Sequence, residues 1–346
     1  MIEATGWAVL RRLRPVVGLV VGALALWVIV RAAGGFSSAE SAFRSASVPW
    51  ITVAFVAEAV SYVLIGLHLR CVAVGAHTLT SFDAVELGLV VWGFGLLTPA
   101  SPVEGLVIAG SEMRHRGMSR QDVTMTFVLR EWFSALTAPV IILVCVLVAL
   151  ARGSINGDET VVLACGSIVV LAVIIGVVAL STRVQATERI AQLLGLIRWR
   201  RARPSAETRR AQGAAWHAAF VSTVGSPRRR GYLLAVAAAY SLTDTMCLWF
   251  SLIATDVHVG LDIVVLAAGV GMVATWIPLV PAGIGVVEAV VPAVLHHFGA
   301  PLDAALAGTL LYRCLGTFVP AAAGALAMLH LKARRSIPVV SRSGTV

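Results

Sequence analysis

Charge is scarce in these 346 residues: 13% are Asp, Glu, Lys or Arg, against about a quarter in an ordinary soluble domain. With 58% apolar residues and a mean hydropathy of +0.89, a soluble globular domain is excluded and a polytopic membrane protein is indicated. No room is left for a sizeable soluble catalytic domain. Paired cysteines are also missing. Cys71, Cys145, Cys165, Cys247 and Cys314 stand singly in apolar stretches, with no C-x-x-C spacing and no nearby His. They read as small packing residues and not as disulfide or zinc ligands. There is no P-loop, H-E-x-x-H or G-x-S-x-G, and the Gly269–Ala274 stretch that resembles a dinucleotide fingerprint lies in an apolar run with no preceding strand. The adjacent pair His296-His297 does not share a helix face. No cofactor and no metal are expected.

Acidic residues number 18 against 27 basic ones, a net charge of +9, and nearly all the cations are arginine. In a soluble chain that balance would suggest nucleic acid. Here the arginines cluster between apolar runs, as in cytoplasmic loops that face an anionic leaflet, so no nucleic-acid partner is expected.

The apolar runs cover roughly 15–30, 48–69, 82–113, 123–150, 160–181, 231–254, 262–298 and 303–331. Two are interrupted: the third at Thr98-Pro99-Ala100-Ser101-Pro102, the seventh at Pro278-Leu279-Val280-Pro281-Ala282-Gly283-Ile284-Gly285. Proline removes an amide donor and clashes with the preceding turn, and glycine permits reversal, so both runs are expected to fold as helical hairpins. The arm from Pro102 to Met113 would be about 18 Å long, short of the roughly 30 Å hydrocarbon core. The expected fold is therefore all-α, with six spanning helices and two re-entrant hairpins. Hairpins of two full spans would give the same sidedness, and that alternative stays open.

This arrangement gathers the N-terminus, Arg70, Arg114, Arg116, Arg120, the 182–230 stretch, Lys332, Arg334 and Arg335 on one side, leaving Arg44 and Arg152 opposite, with Arg31 at the edge. By the positive-inside rule both termini are expected in the cytoplasm and the protein in the plasma membrane. The arginines before the first apolar run look like the start of a signal peptide. The spans that follow make an uncleaved first helix the expectation.

The chain then divides into two halves of one plan, about 15–150 and 160–331: span, span, hairpin, span. The second is upside down, as in the inverted repeats of secondary transporters. Gly117 and Gly299 follow the two hairpins, and Glu131 and Arg313 fall at matching depth, both at an offset of 182 residues. In domain terms, residues 1–181 hold the first half, 182–230 form a basic linker, and 231–346 hold the rest of the second half and a basic tail. Ile190, Leu193, Leu194 and Ile197 at helical spacing beside Arg189, Arg198, Arg200 and Arg201 suggest amphipathic helices in the linker, lying on an anionic lipid surface as a strap between the halves.

Ionisable groups within a membrane cost about 2.5 to 3.5 kcal/mol each on the insertion scale, so they need partners or a wet cavity. Glu104 and Glu288 sit about a turn beyond the two breaks, while Arg130, Glu131 and Arg313 lie about ten residues into their helices, so all five approach the midplane. Short helices starting near Pro102 and Ile284 would aim free amides into the same region. With Arg130 and Arg313 this favours an anion such as phosphate, with Glu104 and Glu288 balancing the arginines or meeting a cationic part of the headgroup. Glu58, Asp83, Glu86 and Asp244 could line a path and are read chiefly as local hydrogen-bonding groups.

The stretch Pro278-Leu279-Val280-Pro281-Ala282-Gly283-Ile284-Gly285-Val286-Val287-Glu288, followed by Gly299 and Tyr312-Arg313, resembles the signature of the lysylphosphatidylglycerol synthase transmembrane-region family, the flippase-like membrane proteins. The likeness runs over roughly 45–331. It implies a lipid flippase, with Pro281, Gly283, Gly285, Glu288 and Arg313 at the site, and Pro99 and Arg130-Glu131 as their counterparts in the first half. The family includes the membrane half of proteins that aminoacylate phosphatidylglycerol and move the product outward, and relatives linked to polyprenyl-phosphate sugars. Ala282 stands where the family often has Gly, and the charged pair reads Arg-Glu in place of the common Glu-Arg. The chain ends at Val346 without an aminoacyltransferase domain, so lipid aminoacylation by this chain alone is not expected.

The function expected is translocation of an anionic phospholipid or a polyprenyl-phosphate-linked precursor by alternating access. The rivals are a membrane scaffold for a separate lipid synthase or glycosyltransferase, and an intramembrane transferase using Glu288 or Glu104 as general base. Abundant small residues leave a homo-oligomer open.

Overall fold

The computed structural model describes residues 43–73, 79–93, 102–153, 226–275 and 283–336, with isolated helical positions at 27, 31, 40, 41, 171, 172, 214, 218 and 221. All regular elements among the described residues are helical. The expected spans at 15–30 and 160–181, the linker helices, and Pro99, Pro278 and Pro281 at the two breaks lie outside the described residues.

Among the described residues nine α-helices follow in order: α1 (Val48–Val72), α2 (Ser81–Gly88), α3 (Pro102–His115), α4 (Arg120–Ala151), α5 (Pro227–Ala254), α6 (Leu261–Thr275), α7 (Val287–His297), α8 (Leu302–Arg313) and α9 (Val319–Ser336). A π-helical turn, Leu89–Gly93, extends α2, and a second, Cys314–Phe318, joins α8 to α9. Among the described residues four helical stretches are long and apolar enough to cross a membrane: Val48–Val72, Arg120–Val148, Pro227–Ala254 and Leu302–Arg334. The protein is thus a multi-pass membrane protein. The sequence-based ends fall short because Ser119 and Ser226 start their helices a turn earlier, in segments rich in arginine.

Helices α1 and α5 run antiparallel along each other. At one end the Ser47 amide donates to the Ala254 carbonyl at 2.8 Å. At the other, Arg229 Nη2 donates to the Cys71 carbonyl at 3.3 Å. Between them Ser61 Oγ donates to the Tyr240 carbonyl at 3.2 Å. Proline at the first or second position of each helix costs no hydrogen bond, since those amides lack intrahelical partners.

The short helices come in two pairs. α3 crosses the π-turn of α2 so closely that a β-carbon on Gly105 would lie 2.7 Å from the Val91 carbonyl oxygen and 2.8 Å from that of Val90. α6 packs on α7 through Val264, Ala267, Val287 and Val291, with Leu248 and Leu252 of α5 beneath. At 1.5 Å per residue these arms measure about 16 to 22 Å, less than the roughly 30 Å hydrocarbon core.

The same turn follows each pair. Gly117 and Gly299 have φ of 88° and 92°, a left-handed conformation that glycine adopts without strain. The amide of Met118 bonds to the Met113 carbonyl and that of Ala300 to the Leu295 carbonyl. Gly117 and Gly299 bond back three residues, to Arg114 and His296. These are matching Schellman caps at the offset of 182 residues.

An ion-pair network ties the first pair of arms to α9 at the arginine-rich end. Arg116 reaches Asp83 at 2.6 Å and Glu112 at 3.1 Å, Arg334 lies 3.5 Å from Asp83, and His330 Nδ1 meets Glu86 at 2.5 Å. Thr80 caps α2 reciprocally with Asp83. Burial alone would raise the Asp83 carboxyl, but hydrogen bonds from Thr80 and Arg116 overrule it and hold the group below its ordinary value.

Candidate functional site

A cavity of about 410 Å³ lies where α1, α4, α5, α6, α7 and α8 meet, with Glu58, Tyr62, Glu131, Asp244, Tyr312 and Arg313 on its wall. Glu58 is ten residues from the start of α1, Glu131 eleven from the start of α4, Asp244 ten from the end of α5 and Arg313 eleven from the start of α8. At 1.5 Å per residue each is about 15 to 17 Å from a helix end, near the middle of a bilayer. Ile141, Ile142, Leu248 and Val265 supply an apolar wall.

Arg313 belongs to a built arrangement. Its Nε donates to Glu288 Oε1 at 2.8 Å, and Glu288 Oε2 accepts the Gly285 amide at 2.6 Å. Gly283 and Gly285 turn at φ of 65° and 85°, which aims that amide at the side chain three residues on. The carboxylate therefore fixes both the turn entering α7 and the guanidinium that lines the cavity. The lining also carries acids, Glu58, Glu131 and Asp244. Tyr312 Oη lies 3.2 Å from both Asp244 oxygens, and Tyr62 Oη donates to the Gly316 carbonyl in the π-turn at 3.4 Å.

Arg130 stands behind the wall. Its guanidinium carbon lies 3.5 Å from the Trp92 ring centre and 5.6 Å from that of Tyr240, and its Nη1 donates to Glu131 Oε1. The residue is 4% exposed and its Nε has no partner among the described residues, whereas the Glu131 side chain is 60% exposed. Stacking on Trp92 holds a charge in this apolar setting. His68 lies edge-on to Phe133, tilted against Tyr240, with neither ring nitrogen hydrogen-bonded among the described residues.

Of the residues singled out in the sequence, the fold joins Glu288 to Arg313 and sets Glu131 and Arg313 on one cavity. Arg130 and Glu288 do not line it. The side chain of Glu104, in the first turn of α3, lies outside the described residues, and Pro102 opens α3 as the break implied. Glu58, Tyr62, Asp244 and Tyr312 are the cavity residues that spacing did not single out as a group. The available signal was two intramembrane acids at equal depth. Among the described residues, no group of three or more His, Cys, Asp or Glu could hold a metal ion.

The family model described as lysylphosphatidylglycerol synthase TM region matches residues 16–324. The chain belongs to that family. Lysylphosphatidylglycerol synthase TM regions are membrane domains of the flippase-like class, and the match takes in both glycine-capped turns and every residue of the cavity wall. No curated protein matches the chain.

Proposed function

We propose that this protein moves a phosphate-bearing lipid with an amine in its headgroup between the leaflets of the plasma membrane. The observation that carries the reading is the mixed lining of the mid-depth cavity, which brings the Arg313 guanidinium together with the carboxylates of Glu58, Glu131 and Asp244. Arg313, held by Glu288, would take the phosphate through planar paired donors. Asp244 and Glu131 would take the ammonium. Aminoacyl-phosphatidylglycerol has both groups, whereas a polyprenyl-phosphate sugar offers the phosphate alone. The acyl chains would stay in the bilayer beside the apolar wall.

Alternating access would come from two inverted halves, with the paired short helices as re-entrant hairpins opening to opposite sides. Supporting this are the repeated order of long, short, short and long helices, the matching Schellman caps, and arms too short to span. The arginine-rich end, with Arg70, Arg116 and Arg334, would face the cytoplasm, where a separate synthase could supply the lipid.

The test is a leaflet-accessibility assay in proteoliposomes with fluorescent phosphatidylglycerol, lysyl-phosphatidylglycerol and a polyprenyl-phosphate sugar. Wild type is expected to move the lysyl lipid fastest, Arg313→Ala to move none, and Asp244→Asn to lose the preference for the amine. Folded wild-type protein that moves none of the three would overturn the reading.

A further inference from the structure

The cavity holds one group for which the translocation scheme has no use. Glu58 is 5% exposed, on the wall of the cavity, and its Oε2 has no hydrogen-bond partner among the described residues. Its other contacts are a hydrogen bond shared with Cys247 and the nearby Gly316 in the π-turn, with Asp244 in electrostatic reach.

Charge counting around the cavity sharpens the point. Among the described residues, four carboxylates, Glu58, Glu131, Asp244 and Glu288, stand with two guanidiniums, Arg130 and Arg313. Arg130 is bonded to Glu131 and Arg313 to Glu288. Asp244 has the Tyr312 hydroxyl within reach of both oxygens. Glu58 is left with a bare buried oxygen, which is very unfavourable for a carboxylate and far less so for a neutral carboxyl. A metal cation in that position would need several oxygen ligands, and among the described residues no group of three or more His, Cys, Asp or Glu could hold one.

We infer that Glu58 carries a proton in this conformation and exchanges it for the ammonium of the transported headgroup, making the protein a proton/lipid antiporter. The inference rests on the translocase reading above. When an ammonium enters from the cytoplasmic leaflet, the O–H bond of Glu58 breaks, the proton leaves to the cytoplasm, and the carboxylate pairs with the ammonium. When the headgroup leaves outward, Glu58 takes a proton from that side. One headgroup moves out and one proton moves in per cycle, and no other reactant is needed.

The groups that face Glu58 are consistent with this exchange. Asp244 and Cys247 approach from α5, Tyr62 from α1 and Tyr312 from α8, with Arg313 of α8 and Glu131 of α4 on the same cavity wall. His68, a little further along α1, faces Arg130 and Tyr240. Asp244 disfavours a second negative charge at Glu58, and an arriving ammonium reverses that balance.

Two measurements separate this inference from the reading beneath it. The first needs no transport: infrared spectra of wild type, Glu58→Gln and Asp244→Asn in lipid vesicles at neutral pH. A protonated-carboxyl band, shifted in D₂O, is expected in wild type and Asp244→Asn and absent in Glu58→Gln. No band, or a band that survives Glu58→Gln, would overturn the inference even if lipid moves. The second is the leaflet distribution of fluorescent lysyl-phosphatidylglycerol at equilibrium, with the membrane potential clamped at zero. A gradient of one pH unit is expected to shift the wild-type ratio about tenfold toward the acidic side, because one proton exchanges per lipid. A ratio unmoved by the pH gradient, or one that follows a sodium gradient at uniform pH, refutes proton exchange. A protein with the infrared band that moves no lipid contradicts the translocase reading and, with it, antiport.

Discussion

Replacing Arg313 with Met keeps the volume of the side chain while leaving Glu288 as a charge inside the membrane, with the Gly285 amide as its remaining partner among the described residues. Breaking one side of a buried ion pair costs about 3 to 5 kcal/mol. The cost arises mainly from the stranded carboxylate, so it should be relieved by a second change, Glu288→Gln, that removes the charge and keeps an oxygen for the Gly285 amide. Unfolding in mixed detergent micelles, followed for wild type, both single variants and the double variant, measures the relief. Arg313→Met is expected to lose about 3 kcal/mol or more, and the double variant to recover about half of it, the remainder reflecting the other contacts of Arg313. A double variant as unstable as Arg313→Met, or losses that add to within about 0.5 kcal/mol, would refute the claim that Glu288 and Arg313 act as a unit.

Gly105→Ala is expected to destabilise the protein by about 2 to 4 kcal/mol, since its β-carbon would strike the Val90 and Val91 carbonyls. In the same assay Gly231→Ala, with nothing within 4 Å of the added carbon, should be neutral or stabilising by up to about 1 kcal/mol. Arg130→Lys keeps the charge and loses the planar face stacked on Trp92, so a drop of about 1 to 2 kcal/mol is expected, smaller when Trp92→Leu is already present. Asp83 has a carboxyl held below its ordinary value, so its contribution is present at neutral pH and is lost as pH falls below about 4 through the folded-state value. Melting temperatures from pH 6 to pH 3 should fall more steeply for wild type than for Asp83→Asn, and equal slopes would contradict this.

The long helices were legible because their signal is local: uninterrupted apolar runs with arginine at one end. Gly117 and Gly299 were legible as glycines that follow the two hairpins at one offset, and the structure adds the cap that each makes. The pairing of Glu288 with Arg313 could be anticipated from depth alone. The cavity could not, because Glu58 and Asp244 are 186 positions apart and meet only through the antiparallel packing of α1 on α5, for which no spacing in the chain codes. Both arginines were read as facing the centre. Arg130 instead sits between Trp92 and Tyr240, because aromatic faces from two other elements offer it a better place, and aromatic residues in apolar runs give no sign of their partners. The π-turns escaped for a similar reason: Leu89–Gly93 and Cys314–Phe318 are ordinary apolar pentads, and the widened turn depends on what each packs against.

The second of those pentads divides the labour of the last long helix. Before it, α8 packs with α7 and α5. Beyond it, α9 packs on the π-turn of α2. One continuous rod would transmit any rotation of one end to the other. The widened turn between them lets each part of the helix pack against its own partners while the chain keeps one thread across the membrane.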